Sequence, residues 1–400
     1  MSHQRVRQIG VLVEVDDNWG RNCVQGIADY AEIHGPWALL INPRDREARI
    51  RLPAGWSGDG IIARLSCKAM AAHVRGAGVA SVDTDNIVAP GRWFGRVGTD
   101  DTERAALALG HLLDRGFRRF AWFAPPSRRY TAKRGEPFLA AVGQAGFACS
   151  SYRPGYRAGR TIGWTEQQQL VARWLGSLGR PVGIVTADAH CGRQLVEICE
   201  SLGVAVPDEV AIIAGDTDEL TCNISNPALS SVLLGARRLG YEAAALLERL
   251  MKGGRVPGKP VLIKPLGVIT RQSTDVLAVD DKDLVAAIRF IRTHATSGIR
   301  VSDLLAEISM SRRMLEQQFK KHLGRSPAEE IRRVRLDKAR DLLARSKLLI
   351  KQVAVASGFR NTTRLGVAFR KRFGLTPLAF REQSCATLQD DLAPEIPDNP

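Results

Sequence analysis

The chain has 400 residues, 44% hydrophobic and 25% charged, with a net charge of +15, enough for two or three domains with cores of their own. No apolar stretch approaches 18 residues and no apolar leader follows Met1-Ser2-His3-Gln4-Arg5-Val6-Arg7, so neither a membrane partner nor export is expected, and the cytoplasm is the expected compartment. Seven scattered cysteines (Cys23, Cys67, Cys149, Cys191, Cys199, Cys222, Cys385) without a CxxC pair argue for reduced thiols and against a disulfide framework or a zinc site, and no cofactor is expected.

From residue 8 to about 270, short apolar runs alternate with helical patterns. The runs are Ile9–Val13, Trp37–Ile41, Gly60–Ala63, Val79–Val82, Phe120–Phe123, Val182–Thr186, Val210–Ala214 and Val261–Ile263. Helices are expected near 22–34, 101–115, 166–178, 193–202 and 237–252. In the last, Leu239, Ala243, Leu246, Leu247 and Leu250 make one apolar face, and Gly253-Gly254 ends it. Strand–helix alternation of this length predicts an α/β region of two doubly wound parallel sheets covered by helices, with an eight-stranded barrel as the competing arrangement.

A polar stretch at 273–282 then acts as a linker, and the strand signal stops. Residues 283–381 read as consecutive helices with short turns, an all-α domain. The acidic end, 382–400, is expected to be disordered. Residues 281–381 carry 23 Lys/Arg against 9 Asp/Glu, whereas residues 1–280 carry 34 against 28. A basic module beside a near-balanced one is the electrostatic footprint of nucleic-acid binding.

Two segments of that module have helix-turn-helix layout. In the first, Val301–Ile308 precedes a turn at Ser309-Met310, then Ser311 as N-cap and the helix Arg312–His322. Leu315 and Phe319 face inward there, which leaves Arg312, Arg313, Glu316, Gln317 and Lys320 outward. In the second, Ile350–Ser357, Gly358-Phe359 and Thr362–Phe373 repeat the plan. Leu365, Phe369 and Phe373 are buried, and Arg360, Asn361, Thr363, Arg364 and Val367 face out. A helix around Ile331–Arg345 joins the units. Arg reads guanine edges, Gln reads adenine and Lys suits phosphate, so double-stranded DNA is the expected partner, read in successive major-groove segments.

Gly358-Phe359, Phe369-Arg370-Lys371 and Phe373-Gly374-Leu375-Thr376-Pro377-Leu378-Ala379-Phe380-Arg381 resemble the C-terminal signature of the arabinose-operon-regulator (AraC) family. Ser311 to Lys320 resembles that family's first recognition helix. Arg364-Leu365 stands where the family has Tyr-Phe, and Gly366 sits inside a helix. The first 270 residues resemble the effector domain of lac and galactose repressors, built like a periplasmic sugar-binding protein, without the N-terminal headpiece. Gly26-Ile27-Ala28-Asp29-Tyr30-Ala31, Gly58 to Ala63, Asp218-Glu219-Leu220, Ala236 to Tyr241 and Arg271 to Asp275 carry a resemblance to xylose operon regulators over nearly the whole chain.

The resemblance implies a small sugar effector, a pentose such as xylose, between two lobes. It also implies a homodimer, activation of sugar-catabolism genes, and RNA polymerase as a further contact. In open α/β sheets ligands lie beyond the strands' carboxyl ends, where this sequence has Asp16, Asp17, Asn18 and Trp19, then Asp188, Asp216 and Asp218. By resemblance Arg134 and Asp216 are effector-contacting residues. Asp16 and Asp188 suit helix N-capping equally, Asp17 is read as solvated, and Trp19 either stacks on sugar or covers the hinge. An enzyme is the main rival, but no P-loop, HExxH, GxSxG or well-placed GxGxxG is present. A transport-type sugar-binding protein would need an export signal and no basic module.

Overall fold

The computed structural model describes residues 5–89, 91–125, 132–152, 163–276, 281–346 and 348–385. Its contacts divide the chain into two compact units, Met1–Leu112 with Arg118–Val276, and Leu113–Phe117 with Leu277–Pro400. In the first unit the strands are β1 (Arg7–Leu12), β2 (Trp37–Ile41), β3 (Gly60–Ala63), β4 (Ala80–Asp83), β5 (Gly95–Thr99), β6 (Phe120–Phe123), β7 (Cys149–Ser151), β8 (Val182–Thr186), β9 (Val210–Ala214), β10 (Ser230–Leu233), β11 (Val261–Ile263) and β12 (Gly267–Ile269). Its helices are α1 (Asn18–His34), α2 (Lys68–Gly76), α3 (Asp101–Leu113), α4 (Glu136–Gln144), α5 (Trp164–Gly176), α6 (Ala189–Ser201), α7 (Glu219–Ile224) and α8 (Ala236–Met251).

Two six-stranded sheets result, in the orders β11-β5-β4-β3-β1-β2 and β12-β10-β9-β8-β6-β7. Every pairing is parallel except β10 with β12. Each lobe therefore repeats one doubly wound plan, with its first strand between its second and third. The chain passes between lobes after β5, after β10 and between β11 and β12, which excludes the barrel. Buried strands β3, β6, β8 and β9 are continuous apolar runs because helices cover both faces.

Helix α8 is amphipathic, with Leu239, Ala243, Leu246 and Leu247 in the first lobe's core beside Ile27 of α1. The two helices cross in backbone contact. A Cβ on Gly26 would stand 1.9 Å from the Arg237 carbonyl oxygen, and one on Gly240 would stand 1.9 Å from that of Cys23. Past β12, a 3-10 turn at Gln272–Thr274 is pinned to the second sheet. Ser273 Oγ donates to the Ile212 carbonyl at 2.6 Å, and Thr274 Oγ1 lies 2.6 Å from Ser230 Oγ. The beginning of the polar stretch at 273–275 is thus anchored, while 277–280 lie outside the described residues.

The second unit is all-helical: α9 (Lys282–His294), α10 (Val301–Glu307), α11 (Arg312–Leu323), α12 (Pro327–Arg345), α13 (Ile350–Ala356), α14 (Thr362–Phe373) and α15 (Pro377–Cys385). Residues 382–385 thus close a helix, and the rest of the acidic tail lies outside the described residues. One core joins Leu284, Ile288 and Ile291 to Leu304, Leu315 and Phe319. The rings of Phe369 and Phe373 on α14 meet that of Phe380 on α15 tilted or edge-on.

Helix α12 starts with a capping box between Ser326 and Glu329, with Pro327 in the first turn. Its fully buried Glu330 accepts from Arg325 and twice from Arg333, at 2.8 and 2.6 Å, and Arg333 reaches Asp337 at 2.8 Å. Burial opposes the Glu330 charge, but the Arg333 and Arg325 guanidiniums prevail and bring its pKa down to about 2.

A repeat with an offset of 50 residues organises this unit. Ser311 and Asn361 cap α11 and α14, Leu315 and Leu365 are buried, as are Phe319 and Phe369, and Gly324 and Gly374 end the helices left-handed at φ 71° and 75°. Pro327 and Pro377 then start the next helices. Gly358, in the second turn, has φ 79°, and a Cβ there would meet the Ala295 carbonyl oxygen at 2.9 Å, so only glycine suits the position.

Candidate functional site

The carboxyl ends of the first unit's strands gather charged side chains from both lobes. Arg64, directly after β3, donates to Asp85 at 2.8 Å, and its guanidinium sits 4.7 Å above the centre of the Trp19 ring. Trp19 packs against the first lobe's core, so one face of its ring already carries a cation. Burial resists ionisation of Asp85, but the Arg64 and Arg134 charges hold its carboxyl below the ordinary value. Arg134 belongs to the second lobe, in a 3-10 turn at Ala132–Gly135 ahead of α4; the two lobes therefore share one electrostatic field.

Asp216, two residues past β9, accepts from the Ala189 N–H at 3.0 Å. Burial and the neighbouring Asp188 charge raise its pKa, against the pull of Arg134. Asp188 caps α6 through the Cys191 N–H at 2.7 Å, and Asp218 caps α7 through that of Thr221 at 2.9 Å. Asp218 also spans the lobes. Its Oδ2 accepts the Asn18 N–H at 3.2 Å and lies 3.8 Å from Arg21. Burial works against the Asp218 charge, but the Thr221 and Asn18 N–H groups hold its pKa down.

The effector-site residues expected from sequence separate into three kinds. Arg134, Asp188 and Asp216 converge electrostatically, with Trp19 beneath the neighbouring Arg64; Asp218 bridges the lobes. Asp16 stands apart, with a side chain 55% exposed and paired to Arg44 at 3.3 Å. The cap of α1 is Asp17, which accepts from Gly20 at 2.7 Å and is not simply solvated. Asp100, directly before α3, receives the N–H groups of Thr102 and Glu103 at 3.1 Å.

Sequence reading missed three members. Arg64 and Asp85 follow strands as Asp188 does, so the same strand-end rule would have found them. Arg104 comes from α3 and carried no local signal. It is buried, paired with Asp101 at 3.1 Å, and its Nη1 has no hydrogen-bond partner among the described residues. No group of three or more metal-ligating side chains is present among the described residues.

In the second unit, Arg312, Arg313, Glu316, Gln317 and Lys320 are all exposed on α11, as are Arg360, Asn361, Thr363, Arg364 and Val367 on and before α14. Arg312 and Glu316 pair across one turn at 3.2 Å, and Asn361 spends its side-chain oxygen capping α14 at the Arg364 N–H, 2.9 Å. Its amide nitrogen keeps two donors. A concave groove beside α14 is lined by Arg300, Arg332, Arg360, Arg364, Val367 and Lys371. No helix among the described residues is long and apolar enough to cross a membrane.

Residues 109–274 match the model of a periplasmic binding protein-like domain, and residues 304–383 that of a helix-turn-helix domain. The xylose operon regulatory protein of Escherichia coli K12 is 30% identical over 387 residues, covering 94% of this chain and 97% of that protein. Its Haemophilus influenzae counterpart is 31% identical over 291 residues, 72% of this chain and 75% of the relative. The solved xylose-binding transcription activator XylR aligns with a TM-score of 0.61 at 29% identity, covering 95% of this chain and 98% of that one. The transcriptional regulator CelR in complex with cellobiose aligns at 0.53 with 18% identity, over 68% of this chain and 86% of that one, which shows a shared fold. This chain belongs to the family of xylose operon regulatory proteins, transcription regulators that join a periplasmic-binding-protein-like domain to a helix-turn-helix domain.

Proposed function

We propose that this regulator answers to a small neutral sugar, a pentose such as xylose, held between the lobes of its first unit. The observation that carries the reading is the convergence of Arg64, Asp85, Arg134, Asp188 and Asp216 at the strands' carboxyl ends, joined by the Arg104–Asp101 pair from α3, so that the cations are matched by carboxylates. Such a set offers donors and acceptors to several hydroxyls without the cationic excess that a phosphate calls for. The name of the E. coli relative and that of the solved xylose-binding activator point to the same ligand class.

Trp19 supplies an apolar ring face, and Asp218, across the cleft mouth, favours the closed arrangement. Asp16 contributes at most at the rim. Sugar binds the closed lobes better than the open ones, and only that difference in affinity drives the response. Residues 8–272, with the anchored turn that follows to Val276, form the sensing domain and 283–381 the DNA-binding domain.

The chain acts as a homodimer in the cytoplasm, a regulator without catalytic activity. Arg312, Arg313, Glu316, Gln317 and Lys320 meet one major-groove segment of DNA. Arg360, Asn361, Thr363, Arg364 and Val367 meet the next, with RNA polymerase as the target of activation.

The test is a thermal-shift titration of the full chain with pentoses, hexoses and their phosphates. Stabilisation by one neutral pentose, growing with concentration as linkage requires, supports the reading. A response to phosphorylated sugars alone, or to none of the panel, overturns it.

A further inference from the structure

Helix α14 carries an apolar side chain on the face turned away from its core. Leu365 and Phe369 are fully buried, whereas Val367 is 69% exposed. Single exposed apolar residues are ordinary on protein surfaces, so exposure alone says little. Position says more. Through the 50-residue repeat Val367 is the counterpart of Gln317, an exposed amide on α11, and Gly366 is the counterpart of Glu316.

Where the first recognition helix offers an amide and a carboxylate, the second offers an isopropyl group and no side chain at all. A Cβ on Gly366 would meet nothing within 4 Å, so the glycine is not forced by packing inside the protein, and its bare backbone permits a closer approach to whatever lies outside. Thr363, one turn before Val367, places a second methyl-bearing side chain on the exposed face. Arg360, Arg364 and Lys371 line the same groove as Val367 and make it complementary to a polyanion.

We propose that α14 identifies a thymine through its 5-methyl group, with Val367 as the contacting residue and Thr363 beside it. Of the groups displayed in the major groove, only thymine's methyl suits an apolar contact, and a hydrogen-bonding edge would be desolvated against an isopropyl group without compensation. The first helix discriminates by hydrogen bonds from Arg313 and Gln317; the second discriminates at this position by apolar fit. This rests on the reading of α14 as a DNA-contacting helix.

The experiment enriches duplexes from a random pool on the full-length protein, with and without xylose, and then replaces each thymine of the enriched sequence by deoxyuridine, one at a time. One replacement in the half-site addressed by α14 should weaken binding about fourfold, the equivalent of one buried methyl at ~0.8 kcal/mol. In V367A the penalty of that replacement should disappear, whereas Q317A should leave it intact. A melting curve for V367A unchanged from the parent shows that the loss is local. If no thymine is sensitive, or if the sensitivity persists in V367A, the inference falls alone. If no duplex is enriched, it falls together with the DNA-contacting reading.

Discussion

The cleft of the first unit and the recognition helices of the second are built from the same side chains under opposite conditions. In the cleft, Arg64 and Asp85 keep only 12% and 17% of their side-chain surface and are held at 2.8 Å; on α11, Arg312 and Glu316 keep 71% and 52% and meet at 3.2 Å. A pair drawn out of water has fixed directions and, with partners still to satisfy, orients hydroxyls. An exposed pair contributes a few tenths of a kcal/mol and is exchanged readily for a phosphate or a base edge. Burial therefore decides which ligand chemistry a given arginine serves.

The sharpest separation of the two regions is by salt. If the second unit neutralises six or more phosphates, raising salt from ~50 to ~200 mM lowers DNA affinity by about a thousandfold or more. Sugar affinity should change less than about twofold, as measured by titration calorimetry alongside filter binding. Equal salt slopes for the two ligands would break the comparison.

The second unit also holds one charge that behaves like those of the cleft. Glu330→Gln leaves Arg325 and Arg333 buried without their anion and should cost about 3–5 kcal/mol, read by hydrogen exchange of amides in α12. A change under about 1 kcal/mol would show the network to be dispensable. The pH dependence follows with a definite sign. Glu330 has a folded pKa near 2 against an ordinary value of 4.5, so its contribution is present above pH ~4.5 and fades as pH falls toward ~2, worth ~3 kcal/mol. Asp216 is shifted the other way. Its contribution is complete below the ordinary carboxylate value and is lost as pH rises through its raised pKa. Mild acidification should therefore protect amides near β9 while α12 loses protection at lower pH; parallel behaviour would contradict one of the two assignments.

Smaller effects separate roles within each region. Asp216→Ala should weaken sugar binding roughly tenfold to a hundredfold, the range of a charged hydrogen bond, while DNA affinity without sugar stays within about twofold. Unchanged sugar affinity would remove Asp216 from the ligand's shell. Arg313→Ala should cost ~1–3 kcal/mol on the preferred duplex and relax one position. A loss equal on every sequence would make Arg313 a phosphate contact.

The parts legible from sequence are those set by local pattern. The continuous apolar runs became β3, β6, β8 and β9 almost residue for residue, and the recognition helices followed from their caps and apolar spacing. Strands β5, β7, β10 and β12 were missed because their partners, and not their residues, make them strands. The serines of β10, for example, are satisfied by Ser273, Thr274 and Thr217 from elsewhere in the chain. The same limit applies to the cleft. Residues just past a strand are visible in sequence, but the opposition of Asp85 and Arg134 needs the two lobes face to face, and Arg104 reaches the cleft from a helix with no marker.

The 50-residue repeat bears on how such a regulator changes over generations. In α11 and α14 the residues that hold the frame, a leucine, a phenylalanine, a left-handed glycine and a following proline, lie apart from the outward positions that differ between the two copies. Drift on one outward face leaves both frames intact, so, on the proposed reading of both helices as DNA contacts, half of an operator is free to diverge while the other helix keeps the protein on its promoter.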